Sequence, residues 1–378
     1  MDTTARSFRP NFLQKLANAL AAFSAIPFAA VFLILPFILS NPNSDEIFDR
    51  LVSVLMIATI VAVPVWAVIW HLKDQKSRSR SIPFPTDKYW YFGQLLAKWL
   101  LAAILLFYAG SKFTGQQLSA SNLWYGTELG RMNGFVLAWS FFGYSKVYSA
   151  FIAMGQIAGS LALLFRRTTR LGIIILLPIL INIFVLDFTF DGIEDARKLV
   201  LVLLYILVFL FFCEFRQFKE FFWDNSSIEA TNLASPFMIG SKTKPILKTL
   251  AFLLVLVYAA GINYYMKLQK DYSPIDGVWY CMSERQYDDS LRQSKTLDNR
   301  LEFFAEGKAC IINELGKNNF FSLKADSSVV EILAETSHTG RTSTQNIKGR
   351  YSLITNDSLE IRGRRGSDSI VWAFKRKR

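Results

Sequence analysis

Histidine is almost missing from this chain, with two among 378 residues, His71 and His338. A bis-histidine haem or a histidine-rich metal centre within the apolar part of the chain is therefore excluded. Equally absent are a G-x-x-x-x-G-K-[ST] phosphate loop, a G-x-S-x-G elbow, a paired C-x-x-C and an H-E-x-x-H. Gly240, Ser241 and Lys242 are a fragment of a phosphate loop without its flanks. ATP-driven transport and standard hydrolase chemistry drop out with these motifs. No metal site is expected, and no sequence motif makes the chain an enzyme. Cysteine is scarce as well, with only Cys213, Cys281 and Cys310.

What the chain has in abundance is apolar length. Hydrophobic residues make up 52% of it and stand in long uninterrupted blocks, while the formal charge is +12. A bilayer core takes roughly 20 apolar residues of helix to cross. That ruler finds about seven spans, at residues 16–39, 51–70, 94–110, 147–165, 171–185, 199–212 and 250–264. The first is longer than a signal-peptide core and lacks a small-residue cleavage site, so it reads as a retained helix. The basic residues are dispersed over loops instead of forming one stripe, which argues against nucleic acid and for the lipid bilayer as the partner.

Loop charge sets an expected direction. Arg6, Arg9 and Lys15 precede the first span, Lys73, Lys76, Arg78, Arg80 and Lys88 follow the second, and Arg166, Arg167 and Arg170 follow the fourth. Arg216, Lys219, Lys242, Lys244 and Lys248 follow the sixth. All of these fall on one side, whereas Asp45, Glu46, Asp49, Asp187, Asp191, Glu194 and Asp195 fall on the other. The N-terminus is thus expected in the cytoplasm and everything after Lys267 outside. Phe215, Phe218, Phe221 and Phe222 recur at helical spacing, as in an interfacial amphipathic helix or a continuation of the sixth span.

After Tyr272 the pattern becomes short alternating runs between turn residues. Strands are expected at 277–282, 300–304, 308–313, 320–324, 329–334, 346–353, 359–363 and 370–374. Such a meander predicts a small all-β lipocalin-like barrel or sandwich, with a side-chain-filled interior as the default at this size. The expected organisation is a two-helix membrane segment at 1–88, a four-helix core at 89–212, an amphipathic loop and last span at 213–270, and an external β domain at 271–378. Cys281 and Cys310 both fall in that external domain, where a disulfide persists. A bridge between them and two small buried hydrophobes are equally compatible with their placement.

Polar residues at membrane depth are the functional leads, because burying them is costly. Lys98 can snorkel to the basic side. Lys112 ends the run Tyr108-Ala109-Gly110-Ser111-Lys112, in reach of an acid or an anionic headgroup. Gln156 stands between Gly155 and Gly159, whose spacing permits close helix approach. Asn182, Asp187 and Asp191 follow one another by about a turn each. With Glu128, Arg131, Asp195, Arg197 and Lys198 they form either a charged cluster at one mouth of the bundle or a set of exposed loop charges.

The stretch 98–198 resembles the DoxX-like family of four-helix membrane proteins. The resemblance rests on Lys98-Trp99-Leu100-Leu101 through Gly110-Ser111-Lys112, on Phe142-Gly143-Tyr144-Ser145, and on Gly155-Gln156-Ile157-Ala158-Gly159. Leu163-Leu164-Phe165-Arg166-Arg167-Thr168, Gly172, Asn182 and Phe190-Asp191 complete it. Gln156 stands where the family often has Glu, and Asp187 where Asn is usual. The resemblance implies a bacterial inner-membrane protein associated with envelope redox or thiol chemistry, with a quinone as the implied cofactor and a membrane redox or envelope protein as partner. Two other function classes stand beside it: a non-catalytic anchor presenting the β domain, and a small-solute transporter.

Overall fold

The computed structural model describes residues 10–39, 44–79, 84–118, 121–126, 129–190, 194–224, 243–268, 273–288, 293–296, 301–306, 309–314, 317–326, 328–334, 346–365 and 368–376. The chain divides into two units, Met1–Gln117 with Ser145–Lys267, and Leu118–Tyr144 with Leu268–Arg378. The excursion 118–144, placed by sequence within the 89–212 segment, thus groups with residues 268–378.

The first unit is helical. In chain order the helices are α1 (Phe12–Phe23), α2 (Ile26–Leu39), α3 (Ser44–Ser79) and α4 (Thr86–Thr114), then, after the short α5 (Gly134–Tyr144) of the second unit, α6 (Lys146–Leu164) and α7 (Thr169–Thr189). They continue with α8 (Glu194–Cys213), α9 (Phe215–Phe222) and α10 (Thr243–Leu268). Seven helical segments among the described residues are long and apolar enough to cross a bilayer: α1 with α2, then α3, α4, α6, α7, α8 and α10. The chain is by this measure a multi-pass membrane protein.

The first span is broken. Asn11 and Gln14 form a reciprocal capping box at the start of α1. Pro27 has no N–H to give the Phe23 carbonyl, and the helix stops and restarts around Ser24 and Ala25. Lys15, expected in the loop before the span, lies inside α1 with a side chain 0% exposed. Lys73, Lys76 and Arg78 likewise sit within α3, which runs on to Ser79. The aromatic segment is a separate helix, α9, with Phe218 buried and Phe221 and Phe222 exposed, the arrangement of a helix lying along an interface.

The core of the bundle is small-residue and leucine-rich: Ala21, Ala97, Leu101, Leu105, Leu163 and Leu207 are each at most 1% exposed. Helices α6 and α7 approach backbone to backbone. A Cβ on Gly172 would lie 2.5 Å from the Leu163 amide nitrogen, and one on Gly159 would lie 2.6 Å from the Leu176 side chain. The spacing of Gly155 and Gly159 thus serves close α6–α7 packing.

The second unit contains a closed antiparallel barrel. Its strands are β1 (Gly277–Asp288), β2 (Gln293–Thr296), β3 (Leu301–Glu306), β4 (Ala309–Glu314), β5 (Lys317–Asp326), β6 (Val329–Ala334), β7 (Ile347–Thr355), β8 (Ser358–Arg365) and β9 (Asp368–Arg376). β1 pairs with β3 and also with β9, closing the ring, while β2 pairs only with the far end of β1. Closure leaves no free edge in the ring. Alternate residues fill the interior, with Trp279, Phe303, Leu359, Ile361 and Trp372 all at 0% exposure. At one end the Arg376 guanidinium lies 4.6 Å from the Trp279 ring centre and donates to the Asp276 carbonyl at 2.7 Å. Gly277 makes room for this closure: its φ of 145° disfavours a side chain, and a Cβ there would meet Arg376 Nε at 3.2 Å.

The excursion is fastened to the barrel chiefly at the end of β3, where Asn122 Nδ2 also donates to the Ala305 carbonyl at 3.3 Å. Glu306 accepts from Ser121 Oγ at 2.5 Å and from the Asn122 amide at 2.8 Å, at the head of the 3-10 turn Asn122–Gly126. Leu123 covers the outward-facing pair Val278 and Phe304. Ser121 and Glu306 must then lie on the same side of a bilayer. Among the described residues four helices long enough to cross lie between them, an even number, which meets that requirement.

The disulfide is corrected. Cys281 and Cys310 are both buried and not bridged. β3 lies between their strands, and Cys310 is level with Gly277, both being opposite Ala305. Two strand spacings of about 4.8 Å and a further four residues along β1 exceed the roughly 7 Å Cα limit for a bridge. Burial also raises the Cys310 thiol pKa. Both thiols are expected to stay unlabelled by iodoacetamide in the folded protein at pH 8 and to label fully in denaturant. Mass spectrometry showing a linked Cys281–Cys310 peptide would contradict this packing.

Candidate functional site

Two buried polar clusters lie at opposite ends of the helical unit. The first grows from the end of α4. Gly115 adopts φ 73°, and its N–H and those of Gln116 and Gln117 all turn back to the Ser111 carbonyl. The turn folds the Gln117 side chain over the last helical turn, where its Oε1 accepts from Lys112 Nζ at 2.7 Å. Lys112 is 8% exposed and its ammonium lies 5.7 Å from the Tyr108 ring centre.

Asp187, 5% exposed, sits in the last turn of α7 within electrostatic reach of Lys112 and Arg197. Arg197 of α8 donates to the Asp187 backbone carbonyl at 2.6 Å and to that of Phe190 at 3.0 Å, its guanidinium over the Phe188 ring. Among the described residues the Asp187 carboxylate itself accepts no hydrogen bond, and neither cation closes on it as a direct ion pair. A carboxylate so placed, with two cations nearby and no direct partner, is free to take a ligand donor or a proton.

Deeper in the bundle Gln156 is 1% exposed, and its Oε1 has no partner among the described residues. Ser160 Oγ, one turn further along α6, is in the same state. Asn263 of α10 was not singled out by sequence, yet it is fully buried and donates to the Phe107 and Ala259 carbonyls at 3.0 and 2.8 Å. Its signal was an amide inside an apolar run. Of the other expected members, Asn182 faces away from the bundle interior and is exposed. Asp191 and Glu128 lie outside the described residues, as do the side chains of Arg131 and Asp195. The structure therefore brings Lys112, Asp187 and Arg197 together and leaves Asn182 out.

The second cluster went unread in the sequence. Lys15 Nζ meets Asp74 Oδ2 at 2.5 Å, Arg78 meets the same oxygen at 2.8 Å, and Thr86 donates to Oδ1 at 2.9 Å. The Lys15 ammonium also lies 5.6 Å from the Trp70 ring centre, and Asn18 donates to the Trp90 carbonyl at 3.0 Å. Asp74 ties α1, α3 and α4 through the buried Lys15 and Thr86, with the half-exposed Arg78 on its outer side, which marks a structural clamp. Asp74 is the one acid in the basic run Lys73–Arg80, and that is the signal that identifies it. Lys98 donates to Thr169 Oγ1 at 3.3 Å, bracing the α6–α7 turn.

No family model matches the chain, and no solved structure matches it. A stretch of it is similar to the uncharacterized protein YwoB of Bacillus subtilis (strain 168). The two are 42% identical over 78 residues, which is 20% of this chain and 51% of that protein. The chain thus spans about half the length of the curated relative it matches. The name YwoB carries no activity.

Proposed function

We propose that this is a DoxX-like membrane protein whose helical unit holds a quinone headgroup at the Lys112–Asp187 niche, as an accessory component of envelope redox or thiol chemistry. In this reading the protein sits in a bacterial inner membrane, with its N-terminus in the cytoplasm and the barrel on the periplasmic side. The observation that carries it is the pair itself: a buried ammonium held by Gln117, and near it a buried carboxylate that accepts no hydrogen bond among the described residues, at the end of apolar helices beside Tyr108. A quinone carbonyl accepts hydrogen bonds and its reduced hydroxyl donates one, so Lys112 Nζ serves the first and the Asp187 carboxylate the second. The surrounding helices supply the apolar path for the isoprenoid tail. Residues of this chain bind and orient the headgroup, and electron transfer belongs to a partner.

The test is decylubiquinone binding to the purified full-length protein in nanodiscs, followed by tryptophan fluorescence quenching. Asp187→Asn and Lys112→Met are each expected to weaken binding by about tenfold, the loss of one charge-assisted hydrogen bond. Quenching that neither substitution alters would remove the niche from the function. The filled barrel favours a second reading, in which the bundle anchors a domain that presents its outer surface to a partner protein. Specific capture of one envelope protein by the full chain, lost on altering the barrel surface and kept in Asp187→Asn, would favour that reading.

A further inference from the structure

Asn182 lies three residues past the midpoint of α7, about 4.5 Å along a 21-residue helix, so its amide is well inside the hydrocarbon layer. It is exposed, on the same stripe as Leu171, Ile174, Ile181 and Val185, which are 45–50% exposed. No described residue hydrogen-bonds its side chain. A carboxamide in this position has two donors and one acceptor with neither water nor lipid to meet them at that depth, and such groups in membrane helices find protein partners. Every other residue of the stripe is apolar and asks for nothing more than lipid.

We infer that the α7 face carrying Asn182 is the contact surface between two copies of this chain. The choice of a second copy follows from the chemistry of the amide. Donor and acceptor stand on one group, so two copies related by a twofold axis satisfy each other with Asn182 of each pairing to Asn182 of the other. An isologous interface requires that kind of self-complementary patch. The flanking Ile181 and Val185 are short and branched and let the two helices approach around the pair.

The experiment uses the full-length protein in nanodiscs and in lipid bilayers at varied protein-to-lipid ratio. Asn182→Cys, in a Cys213→Ala background, is expected to give a disulfide-linked dimer on copper-phenanthroline oxidation. Ile57→Cys, 63% exposed on α3, is expected to give none. By single-molecule photobleaching, Asn182→Leu is expected to weaken dimerisation roughly three- to thirty-fold, the worth of an interhelical amide pair, with Asn182→Gln recovering most of it. A wild-type protein that stays monomeric across all ratios overturns the inference. So does a dimer that Asn182→Leu leaves unchanged, or Asn182→Cys that crosslinks only to a different protein.

Discussion

Asp74→Ala is expected to destabilise the helical unit by about 3–5 kcal/mol, because it leaves the Lys15 ammonium buried without its counter-charge. Lys15 is 0% exposed, and Thr86 loses its acceptor in the same change. Arg78→Ala removes a partner that is 48% exposed and should cost less than about 1 kcal/mol. The combination Lys15→Met with Asp74→Leu replaces the pair by apolar groups and is expected to recover most of the loss. Thermal unfolding of the four proteins in one detergent checks this order. Asp74→Ala with wild-type stability would show that the pair is not buried as described.

Gly172→Val is the second large effect, of about 3 kcal/mol or more. The added side chain meets backbone and not a movable side chain: Leu163 N at 2.5 Å, and Gly159 O and Leu163 Cα at 2.8 Å. Helices α6 and α7 have to separate to admit it. Gly261→Ala on α10 is the matched control, since a Cβ there meets nothing within 4 Å. It should stabilise by about 0.5–1 kcal/mol through helix propensity alone. Yields of folded protein and melting temperatures distinguish the two. Equal effects at Gly172 and Gly261 would mean that the α6–α7 approach is looser than these distances.

Both changes concern features of unequal legibility. The spans are legible because apolar length is a property of a contiguous segment, and the eight barrel strands because their alternation is local. β2 escapes sequence reading because Gln293-Ser294-Lys295-Thr296 has no apolar alternation and exists only by pairing to β1. Lys15 reads as a loop cation until Asp74, 59 residues away, supplies the partner that makes its burial tolerable. Lys112 and Asp187 stand out as costly polar residues near helix ends, but that they share one niche depends on how α4 and α7 pack. Asn182 carries the same sequence signal as Asp187 and faces away from it, because five residues along a helix turn the side chain about 140° past a full revolution. The excursion 118–144 reads as a connection between spans, since its attachment to the barrel rests on Glu306, far along the chain.

That attachment also orders events in time. Ser121 leaves the ribosome 185 residues before Glu306, and the ring that holds Glu306 in place closes only when β9 pairs with β1. During synthesis the turn at Asn122–Gly126 has no carboxylate at its head and Leu123 has no apolar pair to cover. The first three apolar spans are thus made before a segment whose final conformation is dictated by the last residues made. A chain truncated before β9 would retain its apolar spans and lose the structure of the 118–144 connection.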